Sequence, residues 1–167
     1  RYNISRDDQD AWAVTSNERA IAAIEAGKFK EQIVPVPAWT YADGERKEFT
    51  FDVDEGPRKG TTAEVLGKLR PAFNIKGSVT AGNSSQMSDG AAAVLLTSRT
   101  KAEELGLKPM AKFISFAVAG CHPDEMGIGP ALAIPKVLKQ AGLTIDDIDL
   151  FEINEAFASQ FLYSCRD

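Results

Sequence analysis

Asp149-Leu150-Phe151-Glu152-Ile153-Asn154-Glu155-Ala156-Phe157-Ala158-Ser159-Gln160 is the stretch on which the reading of this chain turns. Leu150, Phe151 and Ile153 predict a short buried strand, and the residues after Asn154-Glu155 are compatible with a helix. In α/β folds, ligands gather where strands end at their carboxyl edge and helices begin. The free amides and dipole of a helix N-terminus also favour negative charge. Asn154 stands where an N-cap would stand. Two uses are open to it. Its side chain can accept from the first free amides of the helix, the common use of Asn there, or its carboxamide can hold a water or a developing oxyanion.

Outward from this junction, helix and strand signals alternate, so α/β layering is the expected class. Residues 144–149 lead into the strand. Before them, Ile134, Val137, Leu138 and Ala141 form a helical stripe, with Pro130 near its start, Pro135 loosening its first turn and Gly142 ending it. Residues 110–119 predict a long apolar strand that ends at Cys121-His122-Pro123. A helix is expected from about Thr100 to Leu105, stopping at Gly106, and an apolar strand over residues 91–96.

The preceding run, residues 77–90, is small, polar and glycine-rich, a composition that lets a ligand approach the backbone closely. Its GxxxxG spacing puts Asn83 where a phosphate loop needs lysine, which argues against a kinase or NTPase. Near the N-terminus, Ser5-Arg6-Asp7-Asp8 reads as a variant capping box for a helix to about Ala26, with Val14, Ile21 and Ile24 on one face and Gly27 as its stop. Residues 33–37 carry two prolines and read as an edge strand. Asp43-Gly44 reads as a turn before Phe49-Thr50-Phe51-Asp52-Val53, which alternates as a half-buried strand would, and Thr62 opens a short helix with Val65, Leu66 and Leu69.

The 167 residues suffice for one domain or two small pieces. A net charge of −5 argues against nucleic acid as the main partner. Between Arg58 and Lys76, however, five cations meet one anion, a patch suited to an anionic small molecule or simply to water. No stretch reaches the apolar length of a membrane span. Cys121 and Cys165 show neither metal nor disulfide spacing, and His122 is the only histidine, so no metal is expected. Arg1-Tyr2-Asn3 and Cys165-Arg166-Asp167 both read as cuts, so an internal piece of a longer protein is expected.

Three segments taken together identify a family: Ala81-Gly82-Asn83-Ser84-Ser85-Gln86-Met87-Ser88-Asp89-Gly90-Ala91-Ala92, Met126-Gly127-Ile128-Gly129-Pro130 and Asn154-Glu155-Ala156-Phe157-Ala158. They resemble the thiolases, most closely the degradative 3-ketoacyl-CoA thiolases (acetyl-CoA C-acyltransferases). The opening Ile4-Ser5-Arg6-Asp7-Asp8-Gln9-Asp10 and the run Lys68-Leu69-Arg70-Pro71-Ala72-Phe73 also look like that family.

The resemblance implies an α/β fold, thiolase-like and five-layered (αβαβα), present in part. Residues 1–87 would be the excursion domain over coenzyme A, 88–108 the end of the first half and 109–167 the start of the second. It implies a fragment of an acyltransferase of fatty acid beta-oxidation. Such an enzyme cleaves 3-ketoacyl-CoA with free coenzyme A, yielding acetyl-CoA and a shortened acyl-CoA. Coenzyme A is then a substrate, and no cofactor is expected. On this map Asn154 holds a water that helps to form an oxyanion hole. Arg58, Leu69, Phe73, Ala81 and Ser85 line the coenzyme A tunnel, while Met126, Ala156 and Phe157 border the acyl end. Plain core packing remains open for Leu69 and Phe73.

The nucleophilic cysteine is expected upstream of Arg1, and the histidine of a Gly-His-Pro segment and a second cysteine downstream of Asp167. This chain alone is therefore expected to be inactive. Cys121 and His122, adjacent on a strand, would point to opposite faces and do not make a nucleophile–base pair. Cys165 matches no catalytic position. The complete protein is expected to be a homodimer or homotetramer, cytoplasmic if bacterial and peroxisomal or mitochondrial if eukaryotic. The alternative is a non-catalytic coenzyme A or lipid-carrier module of thiolase shape, which would lack the flanking cysteine or Gly-His-Pro segment.

Overall fold

The computed structural model describes residues 2–166. Helix α1 (Arg6–Glu25) begins at the expected capping box: the Asp8 amide donates to Ser5 Oγ at 3.0 Å and the Ser5 amide to Asp8 Oδ2 at 3.3 Å. It ends where Gly27 turns left-handed at φ +68°, with the Gly27 and Lys28 amides donating back to Ile24 and Ala23. The face it buries most is not the apolar stripe. Gln9, Asp10 and Ala13 are buried, whereas Val14, Ile21 and Ile24 are half-buried.

A hairpin follows, β1 (Val36–Ala42) and β2 (Glu45–Phe51), paired antiparallel with Ala42 opposite Glu45. Asp43 and Gly44 both take positive φ, 55° and 81°, as a tight two-residue hairpin turn requires. The expectation of a half-buried second strand fails, because β2 is exposed throughout. Phe49 and Phe51 lie on one face and Trp39 and Tyr41 on the other, and all four rings are exposed. Neighbouring aromatics and the Arg46 guanidinium, 5.1 Å from the Trp39 ring, are what pack there.

Thr62 caps the short α2 (Ala63–Gly67), whose Leu66 is buried. Helix α3 (Arg99–Glu104) is capped by Ser98 and ends at left-handed Gly106. A 3₁₀ turn, Pro123–Ile128, leads into α4 (Gly129–Ala141), which runs through Pro135 and stops at left-handed Gly142. A second 3₁₀ turn, Ile145–Asp147, has its own capping box with Thr144. The last helix is α5 (Ala158–Arg166). Helix α1 packs against α2 and α5, with the Trp12 and Phe161 rings stacked at 4.4 Å.

Three expected strands do not form. Residues 91–96, 110–119 and 150–153 have no regular secondary structure, and Leu95, Phe113 and Leu150 are exposed. A strand exists only when a neighbour takes its amides and carbonyls, and no such neighbour lies among the described residues; the hairpin is the only sheet there.

The last helix also starts later than expected. It begins at Ala158, four residues beyond Asn154, so Asn154 is not its cap. Phe157 forms a β-bridge with Ser84 instead, the Ser85 amide donates to Ala156 O at 2.9 Å and the Ala158 amide to Asn83 O at 2.9 Å. Those bonds hold residues 156–158 against the 83–85 loop and delay the helix until they are past.

Candidate active site

The 80–85 loop that carries Ala81 and Ser85 is fixed from inside. Asn83 is buried. Its Nδ2 donates to Asp10 Oδ1 at 2.9 Å and to Ser78 O at 3.1 Å, and its Oδ1 accepts the Thr80 amide at 2.8 Å. Asp10 is buried too, its other oxygen accepting Arg6 Nε at 2.7 Å. A buried carboxylate is tolerated because both its oxygens are paired. Arg6 also donates to Leu66 O at 2.7 Å and Leu69 O at 3.1 Å, tying in the end of α2. Gly82 lets the loop approach that end: a Cβ there would lie 2.5 Å from Leu66 Cδ2 and 2.7 Å from Leu69 Cδ1.

The loop lines one of two clefts. The first has a volume of 540 Å³ and is walled by Trp12 and Ser16 of α1, the 54–58 segment, the end of α2 and the loop itself. It gathers five of the residues singled out in the sequence: Arg58, Leu69, Ala81, Ser85 and Asn154. The second, of 490 Å³, lies between the Pro123–Ile128 turn and α5 and gathers Phe73, Met126 and Phe157. Ala156 lines neither; its carbonyl accepts the Ser85 amide. Phe73 is 79% exposed, so the core-packing reading fails for it, and its ring meets Phe157 edge-on at 6.4 Å. Leu69 is half-buried at the cleft wall.

The Asn154 side chain is exposed and makes no hydrogen bond among the described residues. Its neighbour Glu155 accepts from the Ser16 hydroxyl at 2.8 Å. Of the basic patch, Lys59 pairs with Glu25 and Lys68 with Glu64, while Arg58 is held by its backbone amide to Asn17 Oδ1 at 3.0 Å. The Arg58 guanidinium forms no ion pair among the described residues, which leaves its charge for the cleft.

Neither cysteine lines either cleft. Burial, and then the nearby Glu155 carboxylate, push the Cys165 thiol up, away from the reactive thiolate. Cys121 donates to Glu125 O, and His122 caps the following turn by accepting the Asp124 amide on Nδ1. The sequence reading missed Trp12, Ser16, Asp10 and Glu155. Only the Arg6–Asp10 pair, four apart on one helix, left a local signal.

The family model of the thiolase N-terminal domain matches residues 1–100, and that of the thiolase C-terminal domain matches residues 107–167. The chain belongs to the thiolase family. It is 56% identical to a 3-ketoacyl-CoA thiolase of Bacillus subtilis (strain 168), over 100% of this chain and 44% of that protein. It is 58% identical to the peroxisomal 3-ketoacyl-CoA thiolase B of Rattus norvegicus, over 98% and 39%. Among solved structures, it superposes on the Bacillus anthracis acetyl-CoA acetyltransferase with a TM-score of 0.89 at 47% identity, covering 99% of this chain and 41% of that one. For human mitochondrial 3-ketoacyl-CoA thiolase the TM-score is 0.87 at 43% identity, covering 98% and 40%. The fold is thus a thiolase-like α/β fold in part, and the chain spans about two-fifths of the length of these relatives. No helix among the described residues is long and apolar enough to cross a membrane.

Proposed function

We propose that this thiolase-family chain is the coenzyme A-binding and oxyanion-hole part of an acyltransferase that thiolytically cleaves 3-ketoacyl-CoA. The supporting observation is the first cleft, where Asn154 shares one wall system with Arg58, Leu69, Ala81 and Ser85. In this reading residues 1–87 cover coenzyme A, 88–108 end the first half of the enzyme and 109–167 begin the second. Arg58 attracts the phosphates of coenzyme A, and Ser85 and Ala81 face its pantetheine. Met126 and Phe157 form an apolar wall for the acyl group in the second cleft, with Ala156 at the border, and Phe73, expected in the coenzyme A tunnel, lines this second cleft instead of the first.

A thiolate adds to the 3-keto carbon, and the Cα–Cβ bond breaks to release acetyl-CoA after its α-carbon takes a proton. The enzyme-bound thioester then passes its acyl group to the thiol of a second coenzyme A, which yields the shortened acyl-CoA. Both additions place negative charge on an oxygen, and the Asn154 carboxamide fixes a water that donates to it. The thiolate and its acid–base partners come from outside residues 1–167, since neither cysteine here lines the clefts. The names of the relatives include peroxisomal and mitochondrial thiolases as well as a bacterial one. A peroxisomal or mitochondrial location for a eukaryotic protein, a cytoplasmic one for a bacterial protein, and a homodimer or homotetramer belong to the same proposal.

The test is coenzyme A-dependent loss of acetoacetyl-CoA by the complete protein, together with Arg58→Ala. The variant should raise the KM for coenzyme A with little change in kcat, because the nucleotide end does not change during the reaction. No thiolysis by the complete protein refutes the reading. An unchanged KM at low salt removes Arg58 from the site.

A further inference from the structure

We propose that helix α1 is the strut that positions Asn154, through Ser16 on one side of it and Asp10 on the other. The inference rests on the reading of Asn154 given above. Asn154 needs such support, because it lies outside any helix or strand and its own side chain forms no hydrogen bond among the described residues.

The residues just after Asn154 carry the tethers. The Ser16 hydroxyl donates to Glu155 Oε2 at 2.8 Å, directly from α1. The Ala158 amide donates to Asn83 O at 2.9 Å, and the Ser85 amide to Ala156 O at 2.9 Å. Both of those bonds run to the 83–85 loop, which α1 itself holds through Asn83 Nδ2 and Asp10 Oδ1 at 2.9 Å. Arg6, one turn earlier on α1, fixes the other Asp10 oxygen at 2.7 Å and reaches the carbonyls of Leu66 and Leu69. Asp10 and Asn83 are 4% and 3% exposed, so these bonds act in a low dielectric and losing one partner strands the other. One helix therefore sets where Asn154 stands relative to Leu69 and Ser85 across the cleft. A shift of about 1 Å in a group that stabilises a transition state costs up to about a hundredfold in rate.

The test uses the complete protein, with thiolysis measured well below each variant's melting temperature. Ser16→Ala removes the half-buried hydroxyl, and Asp10→Asn keeps the shape but loses the carboxylate. Each should lower kcat about ten- to a hundredfold; Ser16→Ala should leave the KM for coenzyme A little changed, whereas Asp10→Asn should also raise it, because Asp10 holds the loop that carries Ser85. Ser16→Thr, which keeps the hydroxyl, should retain most of the activity. Thr15→Ala, whose hydroxyl bonds only to Ala11 O on its own helix, should behave as wild type. Full kcat in either folded variant overturns the strut, as does a raised KM with kcat unchanged, or an equal loss in Thr15→Ala. If Asp10→Asn does not fold, the Ser16 variants decide. Normal thiolysis by the wild type together with any of these failures leaves the thiolase reading standing; no thiolysis by the wild type removes both.

Discussion

Replacing Asn154 separates its chemistry from its structure more cleanly than its sequence context promised. An Asn cap is worth about 1 kcal/mol, and such a loss would have clouded any kinetic change. The structure removes that difficulty, because α5 begins four residues later and the Asn154 side chain is exposed and bonds to nothing among the described residues. Asn154→Ala should therefore change stability by no more than about 0.5 kcal/mol. Losing a group that fixes an oxyanion donor should cost about 10²–10³ in kcat, or roughly 3–4 kcal/mol of barrier. Asn154→Asp is harsher. A carboxylate about 4 Å from a developing oxyanion, at an effective dielectric of about 20, opposes it by about 4 kcal/mol. The assay is thiolysis of acetoacetyl-CoA by the complete protein, followed by loss of absorbance of the magnesium enolate, with melting curves and a coenzyme A titration alongside. The expected result is an unaltered melt, unaltered coenzyme A affinity and a collapsed kcat in both variants. Near-normal kcat in a stable Asn154→Asp protein would refute the reasoning.

The chain 1–167 by itself should show no thiolysis and should associate, since Leu95, Met110, Phe113 and Phe116 are exposed; a monodisperse monomer with a sharp melt would contradict this. Gly82→Ala should destabilise the complete protein by about 1–3 kcal/mol, read from the denaturant midpoint, because its Cβ would press on Leu66 and Leu69 at 2.5 and 2.7 Å. The Ser5 hydroxyl, then the Ser5 amide, and more weakly Arg166 hold the Asp8 carboxyl below the usual aspartate range, and the Thr144 amide and hydroxyl do the same for Asp147. Both folded values are lowered, so the stability they contribute is present above the unfolded value of about 3.9 and disappears as pH falls through the folded value. Protection of the amides at the start of α1, taken relative to their intrinsic exchange at the same pH, should accordingly fall below about pH 4, and Asp8→Asn should flatten that dependence.

What was legible in the sequence is what local chemistry decides. Ser5 with Asp8, Thr62, the Asp43-Gly44 turn and the glycine stops at 27, 106 and 142 all stand where expected, because each needs only a few neighbouring residues. The apolar runs at 91–96, 110–119 and 150–153 were read with the right composition and the wrong outcome, since strand formation depends on a partner that may lie anywhere in a chain. The candidate site falls between these cases. Resemblance to a family pointed to Arg58, Leu69, Ala81, Ser85 and Asn154, and they meet at one cleft. Nothing in their spacing could show how they are held there. Asp10 and Asn83 are 73 residues apart, and Ser16 and Glu155 are 139 apart, so no local pattern links them. The same distance explains why one of the two uses open to Asn154, the helix cap, is not realised. Asn154 looked like a cap because its neighbours favour a helix, yet the bonds from Asn83 and Ser85 hold the chain against a remote loop and take the amide and carbonyl that would have begun that helix. The tether that cost Asn154 its capping role also leaves its carboxamide unspent beside the cleft, so the failed local expectation and the proposed chemistry have one physical cause.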